Sequence, residues 1–374
     1  MSSKYDALLQ PIPLPNGTTI PSRTAMAPML VMGANEDGSV SETDLAYFDR
    51  RSDVAGLIIT GAAYINESAF VLEGQISVSR DEDVIGLKKL AQAAKKSGNK
   101  AILQLFHAGR EAVYERLGRI VAPSAIEFPF LKHVPEEITE EEIQTTIGDF
   151  GRAARRAIEA GFDGVEIHGA NHYLLQQFFS AYSNRRTDQW GGTLEKRMAF
   201  PLAVLQEVQR AVKESGKEGA IVGYRISPEE IHGENVGYRI DESLQLIDKI
   251  ISEKVDYIHV SLAAGYDAAP EGSEKSFGKL VKEQAAGRCP VIIVSNIFTA
   301  DDALDALNHG DMVALARAAL IEPDFTRKIR ENRAQEIHTA IEHNLADLHI
   351  PPKAIDMFNM EGSIWPPLPG LENE

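Results

Sequence analysis

One cysteine, Cys289, stands in a chain of 374 residues. A disulfide framework cannot be built from it, and neither can a cysteine-ligated iron–sulfur cluster. Its place before Pro290, at the start of an apolar run, reads as a small apolar filler. No run of about 18 apolar residues occurs, so no segment reads as a membrane-spanning helix. The first residues, MSSKYDALLQ, lack the basic, apolar and small-residue order of a secretory signal. With the lone cysteine, this points to the reducing cytoplasm. Positive charge is also scarce: 38 Lys and Arg stand against 55 Asp and Glu, a net of −17. A field of that sign repels phosphate backbones, so nucleic acid is not an expected partner. An anionic ligand then needs a local basic site. Low-complexity tracts, linkers and repeats beyond a simple alternation of elements are missing too, so residues 1–374 read as one domain.

What is present is a run of buried-type strands. Eight short apolar segments recur: RTAMAPML (23–30), GLIIT (56–60), KAILQLF (100–106), GVEIH (164–168), IVGYRI (221–226), YIHV (257–260), VIIV (291–294) and MVALA (312–316). Their near-continuous apolar character suits strands covered on both faces, as in a parallel sheet. The segments between them carry helical spacing. Residues 83–97 stop at Gly98, and 140–160 stop at Gly161. Thr139 with Glu142, and Thr299 with Asp302, have the spacing of helix N-terminal caps. Eight such units predict an α/β fold, the (β/α)8 or TIM barrel; an open doubly wound sheet is the alternative. Asn16-Gly17 is a two-residue hairpin turn, so 11–21 is expected to close the barrel bottom as a β-hairpin. The long loop 107–138 has the size of a lid or binding loop. The Pro-rich tail 350–374 is expected to pack on this chain or on a neighbouring copy, and a homo-oligomer stays open.

In a β/α barrel, chemistry sits at the C-terminal ends of the strands. Polar residues gather there: Gln104, His107 and Arg110 on and after the third strand, His168, Asn171 and Tyr173 after the fourth, Arg225 on the fifth, Arg317 after the eighth. His and Asn can both donate to one carbonyl oxygen, and a Tyr hydroxyl can deliver a proton. That trio suits an electron-poor alkene conjugated to a carbonyl. His168, Asn171 and His172 also suggest a metal, but no cysteine or well-placed carboxylate pair in the linear pattern completes a ligand set. No metal is expected.

These residues carry a resemblance. IHGANHYLLQQFFSAYSNRRTDQWGGTLEKRMAF (167–200), LQLFHAGR (103–110) and AMAPM (25–29) resemble, in order, the signatures of the Old Yellow Enzyme family of FMN-dependent ene-reductases. The likeness runs from about residue 10 to 335. It implies bound FMN, NAD(P)H as reductant and a small electron-poor acceptor as partner. Ala27, Pro28 and Met29 match positions lying against the flavin ring. Ala62 and Gln104 match flavin contacts, and Arg225 the cation near flavin N1 and O2. Ser295, Asn296, Ala316 and Arg317 match the phosphate loops. His168 and Asn171 match the pair that binds substrate oxygen, and Tyr173 the proton donor. The resemblance implies hydride passing from NAD(P)H to flavin N5, then to the β-carbon of the acceptor, with Tyr173 protonating the α-carbon.

Three positions depart from the family pattern. Leu30 stands where Thr or Cys donates to flavin O4, so Leu30 is expected to make the flavin harder to reduce. Ser295 and Ala316 stand where glycine is common, and the Ser295 hydroxyl is expected to compensate as a donor. Rival readings are a dienoyl-thioester reductase relative without its iron–sulfur extension, a phosphate-binding barrel aldolase or isomerase, and a flavin-binding regulatory protein. No lysine stands at a strand end to serve the aldolase reading. The physiological substrate and the choice between NADH and NADPH are not written in these motifs.

Overall fold

The computed structural model describes residues 3–342, 345–360, 363 and 365–371. All eight expected segments form strands: β1 (Thr24–Met26), β2 (Leu57–Ile59), β3 (Lys100–Phe106), β4 (Gly164–Gly169), β5 (Ile221–Ile226), β6 (Tyr257–Val260), β7 (Val291–Val294) and β8 (Met312–Leu315). Each pairs in parallel with its neighbours in chain order. Pairing of β8 with β1 and of β2 with β3 closes the ring, so the sheet is a barrel and not an open doubly wound sheet. A helix follows every strand; Glu42–Arg50, Asp83–Ala94 and Glu140–Glu159 follow the first three. Thr139 with Glu142 and Thr299 with Asp302 form capping boxes, as the spacing predicts. The second helix ends at Ala94 rather than 97, and the chain turns at Gly98 with φ +86°.

The strands bury both faces, which is why they read as continuous apolar runs. One core joins their outer sides to the helices. A second fills the barrel floor with Ala25, Leu57, Ile59, Ile102, Ile221, Tyr257, Ile292 and Met312. Ile12, Leu14 and Ile20 belong to that floor. They come from the hairpin of Ile12–Pro13 with Thr19–Ile20, turned at Gly17 (φ +85°). Asn16 locks the hairpin to the entrance of β5 by donating to the carbonyls of Gly219 and Ala220. Gly223 leaves room for Tyr257, whose ring a Cβ at 223 would strike.

Cys289 lies buried at the floor end of β7, and burial pushes its thiol up to about 12. The tail continues as a helix, Pro352–Asn359, and folds back on this chain: Leu368 is buried, and the carbonyls of Pro367 and Pro369 accept from Arg317 and Ile341. No helix among the described residues is long and apolar enough to cross a membrane.

Candidate active site

The barrel interior divides above its apolar floor. Side chains alternate along a strand, so residues two apart share a face. On β3 to β6 this brings Gln104, Glu166, Arg225 and His259 to one side. On β7 and β8, and just after β1, the facing positions are Val294, Ala314 and Ala27, which are small or apolar. Above them opens a cavity of about 470 Å³ at the C-terminal strand ends. All fourteen site residues singled out in the sequence line it: Ala27, Pro28, Met29, Leu30, Ala62, Gln104, His168, Asn171, Tyr173, Arg225, Ser295, Asn296, Ala316 and Arg317.

The polar wall is wired. Gln104 Nε2 donates to Glu166 Oε1 at 2.7 Å, and His259 Nδ1 meets Glu166 Oε2 at 2.9 Å. Burial would raise the Glu166 carboxyl, but His259, Arg225 and Gln104 together hold it below the usual carboxylate range. Burial, and then the Arg225 charge, lower the His259 imidazole against the opposing pull of Glu166, toward which its Nδ1 is turned. Arg225 is the cation balancing Glu166. Its guanidinium donates to Ser261 Oγ at 3.1 Å, while its buried Nε has no partner among the described residues.

His168 is neutral. Burial, and the charges of Arg225 and His259, place it well below the ordinary imidazole value. Its Nδ1 accepts the Ala170 N–H at 3.3 Å, so the ring proton sits on Nε2 as a donor. Asn171 and His172 are consecutive left-handed residues, φ +57° and +66°. Such strain persists only where surroundings over-determine it. Here Ser227 Oγ accepts the Asn171 N–H, and Ser261 bonds its amide. Tyr173 stands edge-on to Phe106 with ring centres 4.4 Å apart, and to His168 at 5.2 Å. Burial, then the nearby Glu111 charge, push its phenol up to about 12.

A second cation, Arg317, also lines the cavity. Arg317 donates to Asn296 Oδ1 at 2.8 Å and to the Pro367 carbonyl at 3.0 Å, with its guanidinium over the Phe298 ring. Ser295 and Asn296 form a second left-handed pair, φ +105° and +53°. Ser295 thus holds, with a side chain, a conformation that favours glycine. Its hydroxyl donates to the Ala263 carbonyl at 3.0 Å, a protein acceptor, in place of the free donor expected from the sequence.

Other expectations resolve differently. His107 and Arg110 are buried outside the cavity; His107 accepts from Gly109 and meets Ser68, and Arg110 covers the Phe128 ring. No residue of 107–138 lines the cavity. That loop is tied to the side of the barrel by Arg186, which donates to the carbonyls of Pro123 and Ile138. The tail supplies the wall instead, through Ile350, Ala354, Phe358, Trp365 and Pro366. Glu166 and His259 were missed. A glutamate inside an apolar strand, two residues before His168 and so on the same face, was the signal for Glu166.

The family model described as the NADH:flavin oxidoreductase / NADH oxidase family matches residues 7–336. The chain belongs to that family, the Old Yellow Enzyme family. A probable NADH-dependent flavin oxidoreductase of Bacillus subtilis is 42% identical over 346 residues, 91% of this chain and 92% of that one. An NADH:acrylate oxidoreductase of Vibrio harveyi is 41% identical over 330 residues, 86% of this chain but 33% of that longer protein. The structure of morphinone reductase with tetrahydroNAD superposes with TM-score 0.76 at 28% identity, covering 88% of this chain and 91% of that one. The enzyme is therefore an FMN flavoprotein reduced by NAD(P)H. The residues fit that cofactor: an unpartnered buried donor on Arg225 and a second cation at Arg317 both line the cavity.

Proposed function

We propose that this enzyme passes hydride from a reduced nicotinamide, through FMN, to an electron-poor carbon–carbon double bond, with an α,β-unsaturated carbonyl as the acceptor class and quinones or nitro compounds as further acceptors. When bound, FMN supplies the hydride from N5. Ala27, Pro28, Met29, Leu30 and Ala62 form its apolar bed, Gln104 and Arg225 its polar edge. Ser295, Asn296, Ala316 and Arg317 hold its phosphate.

The observation that carries this reading is the arrangement of His168, Asn171 and Tyr173 on one wall. The Nε2–H of neutral His168 and the amide of Asn171 polarise the acceptor's oxygen. The phenol of Tyr173, kept protonated, then delivers a proton to the carbon α to that carbonyl. The two donors act without proton loss, so the tyrosine is the one group that needs to exchange a proton with solvent between turnovers.

NADH is the proposed physiological reductant. Two relatives above 40% identity are named for NADH, and a chain of net charge −17 disfavours the additional phosphate of NADPH. The Vibrio harveyi relative is named for acrylate, an α,β-unsaturated acid of the proposed class. Anaerobic titration tests the reading. NADH should bleach the yellow protein, and cyclohexenone or acrylate should restore the colour stoichiometrically. A reduced protein that only dioxygen or a quinone reoxidises rejects the alkene acceptor.

A further inference from the structure

Beside the cavity, the loop carrying His172 meets a hairpin that follows β5, formed by Glu230–His232 and Asn235–Tyr238. The linear pattern around His172 offered no carboxylate partner; this hairpin brings one. The Glu230 side chain has no solvent exposure. Gln176 Nε2 donates to its Oε2 at 2.8 Å and Ser180 Oγ to its Oε1 at 2.7 Å. Both donors are neutral, and among the described residues no lysine or arginine forms an ion pair with Glu230. A buried carboxylate in that setting lacks a cation. Facing it instead are two imidazoles: His172 Nδ1 at 3.7 Å from Oε2, and His232 Nε2 at 3.9 Å from Oε1.

Hydrogen bonding fixes which way His172 presents itself. Gln176 Oε1 accepts the His172 backbone N–H at 3.0 Å, which turns Gln176 Nε2 toward the imidazole Nδ1 at 3.2 Å. Nδ1 therefore accepts from Gln176 and its proton resides on Nε2, so Nδ1 is the unprotonated nitrogen of the ring, and an ion bound there takes the place of the Gln176 donor. Ligand atoms of His172, Glu230 and His232 all lie within 4.8 Å of one another. Bonds of about 2.0–2.2 Å to a tetrahedral ion bring such atoms to about 3.3–3.6 Å. Both imidazoles are about four-tenths exposed, and closing that gap takes rotation of the His232 ring and release of the His172 contact with Gln176, while the carboxylate is already oriented by its two donors.

We propose that His172, Glu230 and His232 bind one divalent transition-metal ion of the zinc type, with a fourth coordination position taken by water. Two imidazoles and one carboxylate suit zinc or cobalt; calcium and magnesium require more oxygen ligands. The ion ties the hairpin to the residue between Asn171 and Tyr173, and so holds the loop that presents both to the cavity. The site stands whether or not the flavin reading does.

The test uses untagged, FMN-loaded enzyme stripped with a chelator and titrated with Co²⁺, then with Zn²⁺ by calorimetry. One ion per chain should bind, and Co²⁺ should give the strong visible absorption of a tetrahedral site, to the red of the flavin bands. His232→Ala lies outside the flavin cavity and should keep its FMN, yet weaken binding by about 10–100-fold. Glu230→Gln should abolish the cobalt band. No saturable binding, or equal affinity in His232→Ala with FMN retained, overturns the site. FMN content read in the same samples keeps this result separate from the flavin assignment.

Discussion

Gln104 and Glu166 are register partners on β3 and β4, and the Gln104 amide donates to the Glu166 carboxylate at 2.7 Å. This bond fixes the amide's orientation, leaving its oxygen and second N–H for the cavity. The same carboxylate is the counter-charge to Arg225. Removing one charge from the barrel interior is worth about 1–2 kcal/mol at an effective dielectric near 20, or roughly 20–40 mV for a two-electron couple. Glu166→Gln should therefore raise the flavin midpoint potential by that amount, because Arg225 then acts unopposed. Potentiometric titration decides; an unchanged or lower potential denies the coupling.

Leu30 gives a second handle on the same quantity. It lines the cavity with no side-chain donor. Leu30→Thr should supply one hydrogen bond to the reduced flavin, about 0.5–1.5 kcal/mol and so roughly 10–30 mV upward. A fall in potential would count against the assigned position of residue 30.

The barrel was legible because each strand is buried on both faces and several helices, such as those starting after Thr139 and Thr299, are capped by local chemistry. The apolar run VIIV and the Thr299–Asp302 box need no knowledge of distant contacts. The cavity was legible because its residues stand at strand ends in the order of a family signature. Three things were not. Glu166 and His259 meet across two strands, a distance that no linear spacing encodes. The role of 107–138 and of the tail depends on where Arg186 and Arg317 anchor them, and tail residues such as Trp365 and Phe358 reach the cavity only after the chain has circled the barrel. His172 gained Glu230 and His232 through a hairpin nearly sixty residues on.

Arg317 lines the cavity, and its present partners are neutral oxygens. Arg317→Ala should purify largely as apoprotein with its fold intact. Full flavin occupancy, measured by absorbance ratio after gel filtration, removes Arg317 from the phosphate site.

The environment of Tyr173 sets a pH profile. A phenol raised to about 12 stays protonated where an ordinary tyrosine, near 10, is half ionised. A donor is lost only as pH rises through its own value. The alkene half-reaction should thus show no tyrosine-type decline between about pH 7 and about pH 10. A limb near pH 8 or 9 in stopped-flow traces assigns proton delivery to another group.

The central claim is that Tyr173 delivers the proton that completes alkene reduction. Tyr173→Phe keeps the ring packed against Phe106 and His168 and removes only the hydroxyl. Stopped-flow separation of the two half-reactions is the direct measurement. The account predicts normal FMN content, near-normal reduction by NADH and a cyclohexenone half-reaction slowed by about 10²–10⁴-fold. A cyclohexenone half-reaction at the wild-type rate contradicts it.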